Sequence, residues 1–280
     1  ITNGATVVVL EDDDVFQDSF FMHKVVVKVV VTNTRIALAR MSANYYHHPS
    51  QQLLMVGVTG TNGKTTTTHL IRSMFEASGK TPGLIGTIEY SIGNKIVPAT
   101  HTTPESLELN ELLAQMVAKH CDAAVMEVSS HALHQHRVDG IHFRAAVFTN
   151  LTQDHLDYHG SMEEYFKAKR TLFESLDNSA YAIINIDDAW GEKMLNVSST
   201  KKISYGSSTN ADVYAQNISL SMDKTSFAVV HHGEETQLES SLIGRFNVSN
   251  ILAAFSTGIA LGIPKPIMQD AVHSMPAVRG

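Results

Sequence analysis

Leu53-Leu54-Met55-Val56-Gly57-Val58-Thr59-Gly60-Thr61-Asn62-Gly63-Lys64-Thr65-Thr66-Thr67 reads in three parts. The apolar run 53–58 has the length and composition of a buried strand. A glycine-bearing turn follows. Leu70, Ile71, Met74 and Phe75 then recur at helical spacing up to Gly79. Strand, glycine turn and helix form the setting in which a Gly-Lys-Thr cradles phosphate, because backbone N–H groups of the turn and of the helix start converge on anionic oxygens. In that setting Lys64 reaches terminal phosphates and the Thr65 hydroxyl faces Mg²⁺. The general P-loop spelling places a glycine five residues before Gly63, where this chain has Val58. The spelling here, Thr-Gly-Thr-Asn-Gly-Lys-Thr, is a narrower variant. The competing reading, a turn with a merely solvated lysine, does not explain why strand, turn and helix all agree.

Outward from this stretch, strands are expected at 84–88, 123–128, 145–149 and 181–186. Helices are expected at 105–120 behind Pro104, 161–176 and 187–196. Such alternation makes an α/β fold, a P-loop-type central domain whose mostly parallel sheet is flanked by helices and holds ligands at the carboxyl ends of its strands. Residues 212–242 alternate polar and apolar positions and break at Met222-Asp223-Lys224 and Gly233-Glu234, a small antiparallel meander. Helices at 246–261 and 264–274 follow. Upstream, 7–10 and 25–31 read as strands and 34–46 as a helix offering Ile36, Leu38, Ala39 and Met41 to the core. Glu11 to Asp14 forms a solvated acidic turn. His47-His48-Pro49-Ser50 stops the helix, since proline disfavours helix before itself, and marks a boundary between domains 1–50 and 51–280.

Composition bounds the function. The 280 residues are 43% hydrophobic and 18% charged, enough for a full core and more than one domain. A net charge of -7 argues against a nucleic-acid partner, so anionic ligands must be met by local cations and helix termini. The single cysteine, Cys121, allows no internal disulfide and fits the cytoplasm. No apolar run is long enough to span a bilayer, and no membrane role is expected. The chain opens at Ile1 without methionine and closes at Arg279-Gly280, as a piece of something longer would.

Several residues carry chemistry. Glu127 ends the apolar run 123–126, and a carboxylate at the end of a strand beside the P-loop strand is where a nucleotide's Mg²⁺ is held; the bland alternative is an acid facing solvent. In 161–176, Met162, Tyr165, Phe166, Leu172, Phe173 and Leu176 form the apolar stripe, and Lys169 occupies its missing inward position. Ser161 and Glu164 make a capping box at the helix start. A lysine on that face must be paired, neutralised or modified, or else snorkel at the helix edge. Neutralised, it can take up CO₂ as a carbamate. His155 and His159 are four apart and could share one helical face. One of them could serve Mg²⁺ near the phosphates, the other packing or facing solvent. The His-Glu-x-x-His order of a zinc protease is absent. His131, His134 and His136 crowd one turn without a closed zinc ligand set. Arg137 could meet an anionic substrate. Asn247 and Asn250, after Gly244-Arg245-Phe246, can cap a helix or read a base edge.

Taken together, Thr59-Gly60-Thr61-Asn62-Gly63-Lys64-Thr65, Glu127-Val128-Ser129-Ser130-His131, Asp154-His155-Leu156-Asp157-Tyr158-His159-Gly160 and Gly244-Arg245-Phe246-Asn247-Val248-Ser249-Asn250 resemble the Mur ligases, from about Thr32 onward. Glu127 to His131 with Gln135 to Val138 is most similar to the family's E-type branch, which adds a diamino acid to UDP-N-acetylmuramoyl-L-alanyl-D-glutamate. The resemblance implies ATP-dependent amide synthesis through an acyl phosphate, in a monomer. It implies that 1–50 is the end of a UDP-substrate-binding domain and that a C-terminal ligase domain follows Gly280 in relatives. It further implies that Gly60, Thr61, Asn62, Gly63, Lys64, Thr65 and Thr66 cradle ATP, with Asn247 and Asn250 at the adenine and Arg279 at the nucleotide. Thr65 and Glu127 would hold one Mg²⁺; His155 and a carbamylated Lys169 would hold a second. His101, Thr102, Thr103, Ser129, Gln135 and Arg137 would bind the muramoyl dipeptide, His101 standing where some relatives have asparagine. Meso-diaminopimelate is the expected amine, ahead of L-lysine. A folylpolyglutamate synthetase shares the fold, but the Ser-Ser-His and Gln135-x-Arg137 spacing speaks against it. A non-catalytic Mur-like protein would have lost Lys64, Glu127, His155 or Lys169, and all four are present.

Overall fold

The computed structural model describes residues 3–197 and 200–276. β1 (Val7–Leu10), α1 (Asp18–Lys24) and β2 (Val27–Val30) come first, and β1 pairs with β2 in parallel as a small sheet of its own. α1 was not expected from the sequence. It is short, and an acid in its first turn and bases in its last suit the helix dipole more than any apolar period shows. α2 (Thr34–Tyr45) is capped by Asn33, whose side chain accepts from the N–H groups of Arg35 and Ile36. Its buried face is Ala39, Ser42 and Ala43, while Leu38 and Met41, expected in the core, are exposed.

The main body runs β3 (Leu54–Thr59), α3 (Lys64–Ala77), β4 (Pro82–Ile85), β5 (Glu89–Ile92), β6 (Lys95–Pro98), α4 (Ser106–Ala118) and β7 (Ala123–Glu127). It continues through α5 (Ser130–His134), β8 (Ala145–Phe148), α6 (Leu156–His159), α7 (Met162–Glu174), β9 (Tyr181–Asn185), α8 (Gly191–Leu195) and β10 (Lys201–Gly206). The meander β11 (Val213–Leu220), β12 (Thr225–His231), β13 (Glu234–Ser240) and the helices α9 (Arg245–Ala260) and α10 (Lys265–Ser274) close it. The β5–β6 hairpin, the short α5 and α6, and β10 had no clear sequence signal. α8 is shorter than the helix expected at 187–196, and Pro104 lies just outside α4, whose N-cap is Glu105.

All these strands join one sheet in the order β13-β12-β11-β10-β9-β8-β3-β7-β4-β5-β6. The centre is parallel; the two edges, β4-β5-β6 and β11-β12-β13, are antiparallel. The meander is thus an extension of the main sheet, joined through the parallel β10–β11 pair, and not a separate unit. β3 lies centrally between β7 and β8, so the chain turns to opposite sides of it and leaves a crevice at its carboxyl end. Both faces are covered. Val56 and Val58 of β3 pack with Leu70, Ile71, Met74 and Phe75 of α3 and with α9 and α10. Met55 packs on the other face with Leu109, Leu113 and Met116 of α4 and with Phe166 and Phe173 of α7. Burying each such side chain is worth about 1.5–3 kcal/mol, which holds the central strands rigid beneath the crevice.

Candidate active site

The turn after β3 hangs over that crevice. Thr61 N–H donates to Asn150 O at 2.9 Å and Asn62 N–H to Asn150 Oδ1 at 2.9 Å. Thr149 Oγ1 and Asn150 Nδ2 donate back to Asn62 O at 2.7 and 3.0 Å. The segment after β8 therefore clamps Thr61 and Asn62 and takes up their N–H groups. The N–H groups of Lys64, Thr65 and the half-buried Thr66 open α3, and the first turn of a helix has no internal partners for them, so they face an incoming anion. Gly63 holds φ +85°, and a Cβ there would overlap Asn250 Oδ1. Only glycine lets α9 come this close to the turn.

Lys64 folds back on the turn, donating to Gly60 O at 3.0 Å and Thr61 O at 2.9 Å. Burial pushes its ammonium below the ordinary lysine range, and the Glu127 and Asp154 carboxylates pull the other way. Thr65 Oγ1 donates to Glu127 Oε1 at 2.9 Å. Glu127 is 1% exposed. A hydroxyl and a carboxylate side by side at a phosphate cradle are hard oxygen ligands of the kind Mg²⁺ takes in small number alongside phosphates. Among the described residues no cluster of three His, Cys, Asp or Glu could hold a metal alone.

Lys169 is 1% exposed, buried on the stripe of α7 and not snorkelling at its edge. Its Nζ donates to Gly60 O at 2.9 Å and stands 4.5 Å from the centre of the Tyr165 ring. Two lysines, 64 and 169, thus share one carbonyl. Burial, and next the Lys64 charge, push Lys169 well below the ordinary lysine range, with Asp154 opposing. The Ser161 hydroxyl accepts from Glu164 N–H at 3.2 Å; the Glu164 carboxylate turns to Lys167 instead, so the capping box is half formed.

His155 and His159 both approach the rings of His131 and Tyr165, although only His159 lies within a helix. His155 is the N-cap of α6 with φ 50°, and His159 is its last residue. His155 is half exposed, with Asp154 at 3.5 Å and His131 edge-on at 4.8 Å. His159 turns inward, its Nε2 2.9 Å from Ser130 Oγ and its ring 5.0 Å from Tyr165. Burial, then the neighbouring His131 and His134, push His159 down to about 4. His134 Nδ1 lies 2.8 Å from the Tyr158 hydroxyl. His131 packs on Tyr158 and His155 on Tyr165, and His136 pairs with Asp139 at 3.0 Å.

On the other side of Glu127 lies the loop 100–105. Thr103 Oγ1 donates to Glu127 O at 2.9 Å and accepts from Ser129 N–H at 3.0 Å. Ser129 caps α5 by accepting from Ala132 N–H at 3.2 Å. Arg137 donates to Thr103 O at 2.9 Å and Gln135 Oε1 at 2.7 Å and pairs with Glu105 at 2.7 Å. The buried Tyr90 hydroxyl donates to His101 O at 2.6 Å and accepts from His101 N–H at 3.0 Å. So His101, Thr102, Thr103, Ser129, Gln135 and Arg137 form one rim. Tyr90 and Thr87, which hold this rim, went unread in the sequence. The strand expected at 84–88 covered Thr87, whereas β4 ends at Ile85 and leaves Thr87 in the turn behind Gly86.

Asn247 and Asn250 are buried at the start of α9 against the turn. Neither caps it; the N-cap is Gly244. Asn247 Nδ2 donates to Ile243 O at 2.9 Å and Asn250 Nδ2 to Asn247 Oδ1 at 3.1 Å. Arg279 lies outside the described residues.

The sequence matches the Mur ligase middle domain over residues 58–258. It is 42% identical over 279 residues to the UDP-N-acetylmuramoyl-L-alanyl-D-glutamate--2,6-diaminopimelate ligase of Clostridium botulinum, covering 99% of this chain and 56% of that protein. A solved structure of a UDP-N-acetylmuramoyl-L-alanyl-D-glutamate--2,6-diaminopimelate ligase superposes with a TM-score of 0.85 at 30% identity, covering 100% of this chain and 56% of the other. The MurF ligase of Thermotoga maritima, solved in complex with ADP, shares the fold with a TM-score of 0.66 at 17% identity, covering 100% and 59%. The chain spans about half the length of the curated relatives it matches. With the family's middle domain matched over most of its length, and a cradle, carboxylate and rim assembled as described, this chain belongs to the Mur ligase family.

Proposed function

We propose that the protein containing this chain joins diaminopimelate to UDP-N-acetylmuramoyl-L-alanyl-D-glutamate at the expense of ATP, in the cytoplasm and as a monomer. The observation that carries the reading is Glu127, buried between the cradle at Thr65 and the rim at Thr103. One carboxylate there can serve the nucleotide and the acceptor substrate together. The names of the relatives support diaminopimelate over L-lysine. Residues 1–50 serve as the end of a UDP-substrate-binding domain and 51–280 as the ATP-binding domain; the separate β1–β2 sheet supports that division.

Two anions, a carboxylate and a triphosphate, must meet. Lys64 leaves its two carbonyls for the γ-phosphate, and the first-turn N–H groups of α3 steady the other oxygens. Thr65 and Glu127 would hold one Mg²⁺, and His155 and a carbamylated Lys169 a second; such cations neutralise the converging charges. The lowered proton affinity of Lys169 supports carbamate formation, since only a neutral amine adds to CO₂, forming an N–C bond and releasing one proton. The substrate carboxylate attacks the γ-phosphorus, giving an acyl phosphate and ADP. The amine then attacks the acyl carbon and expels phosphate. Arg137, Thr102, Thr103 and Ser129 orient the peptide, while Asn247 and Asn250 border the adenine and Arg279 meets the nucleotide.

The test is phosphate release by the full-length protein with ATP, Mg²⁺ and UDP-N-acetylmuramoyl-L-alanyl-D-glutamate, with diaminopimelate or L-lysine in turn. Release that needs both the peptide and diaminopimelate is expected. Release only with a folate and glutamate would make it a folylpolyglutamate synthetase, and ATP binding without turnover a non-catalytic relative.

A further inference from the structure

Thr87 stands just past β4, facing the cleft, where the two halves of the site meet. Its N–H donates to Glu127 Oε1 at 2.9 Å and its hydroxyl to Glu127 Oε2 at 3.0 Å. The same hydroxyl lies 3.1 Å from Thr102 Oγ1. A carboxylate only accepts, and a hydroxyl has one proton, so the Thr87 proton is committed to Glu127 and Thr102 must donate to Thr87. Thr65 donates to the same carboxylate from the cradle side. The hydroxyls therefore form one directed chain, from Thr102 through Thr87 to the buried Glu127, met by Thr65. Gly86 makes room for it, since a Cβ there would stand 2.6 Å from Glu127 Oε1.

We propose that Thr87 is a positioning residue that fixes the plane of the Glu127 carboxylate and ties it to the substrate rim at Thr102. The cation-facing oxygens and the rim are then set as one unit. Thr65 has one bond to the carboxylate and leaves it free to rotate; Thr87 grips both oxygens and removes that freedom. Because Thr87 is exposed, removing its hydroxyl leaves no hole in the core.

The kinetic part of the test rests on the ligase reading; the exchange part does not. In the full-length protein, Thr87→Val keeps shape and N–H but deletes the hydroxyl. The Mg²⁺ concentration for half-maximal rate should rise on the order of ten-fold, the usual worth of a hydrogen bond to a charged group. The KM for the muramoyl dipeptide should rise about three- to five-fold, as for a neutral bond. Without any ligand, amide hydrogen exchange at His101 to Thr103 should speed up about ten-fold while that of β3 stays unchanged. Thr87→Ser should restore all three. Movement of only one kinetic parameter, no movement, or faster exchange in β3 as well would overturn the proposal. If the wild type turns over no muramoyl substrate, the functional reading fails, and the exchange comparison still decides the link between Thr87 and the rim.

Discussion

Gly63→Ala isolates the contact between the phosphate turn and α9. At φ +85° an alanine is disfavoured by about 1–2 kcal/mol. The new Cβ also overlaps Asn250 Oδ1, so the Asn250 amide must swing away. Swinging breaks its 3.1 Å bond to Asn247 Oδ1 and leaves that buried oxygen unpaired. That adds about 1–3 kcal/mol. The single variant should thus lose about 2–5 kcal/mol in urea unfolding at unchanged m-value. Asn250→Ala alone should lose about 1–3 kcal/mol, having lost the same bond. In the double variant the overlap is gone and only the backbone term remains on top of the lost bond. It should be no worse than Gly63→Ala, which means a coupling of about 1–3 kcal/mol between the two sites. Additivity within about 0.5 kcal/mol would refute the reasoning, because it would mean that Asn250 does not abut the turn.

Lys64→Ala and Glu127→Ala in the full-length protein should each abolish phosphate release, and normal turnover in either would sink the mechanism. Lys169→Ala should be inactive and partly rescued by a short-chain carboxylic acid; no rescue at any concentration would speak against a carbamate. Lys169→Met should raise the unfolding free energy at neutral pH by on the order of 1 kcal/mol, since the cost of stripping the proton from a buried lysine is removed along with the amine. Because the folded-state proton affinity of Lys169 is lowered, wild-type stability should rise with pH toward the ordinary lysine range, and the Met variant should lack that slope. His159, held at about 4 against an ordinary 6.5, binds its proton more readily in the unfolded chain. Stability should therefore fall as pH drops from 6.5 toward 4, and His159→Gln should flatten that segment of a pH-resolved unfolding curve; an unaltered segment would put the imidazole in open solvent.

What could be read from residues alone followed from period and punctuation. The 53–79 stretch announced β3, turn and α3, because a continuous apolar run, glycines and a 3.6 period each left a mark. Lys169 was legible for the same reason, as the one charged residue in an apolar stripe. The β5–β6 hairpin was not: Glu89-Tyr90-Ser91-Ile92 is too short and mixed to show a period, and it is held by pairing with β4 at the sheet edge. The histidines illustrate the limit for sites. Spacing of four could place His155 and His159 on one face, but it did not foretell that His155 would sit ahead of the helix with a left-handed backbone, nor that both would meet the rings of His131 and Tyr165. The grip of Thr87 on Glu127 spans 40 residues of chain, a separation over which no local pattern speaks.

The alternation along β3 also bears on how such a domain can be rebuilt. With Met55 in one compartment and Val56 and Val58 in the other, the sheet is a partition wall. Each compartment can diverge in side-chain volume without the other adjusting. Recombination with a relative should therefore succeed when α3, α9 and α10 travel together with the residues they cover. A crossover between α3 and α9 would force two evolutionary histories into one compartment. The productive seams of a chimera run along the plane of the sheet and not along the order of the chain.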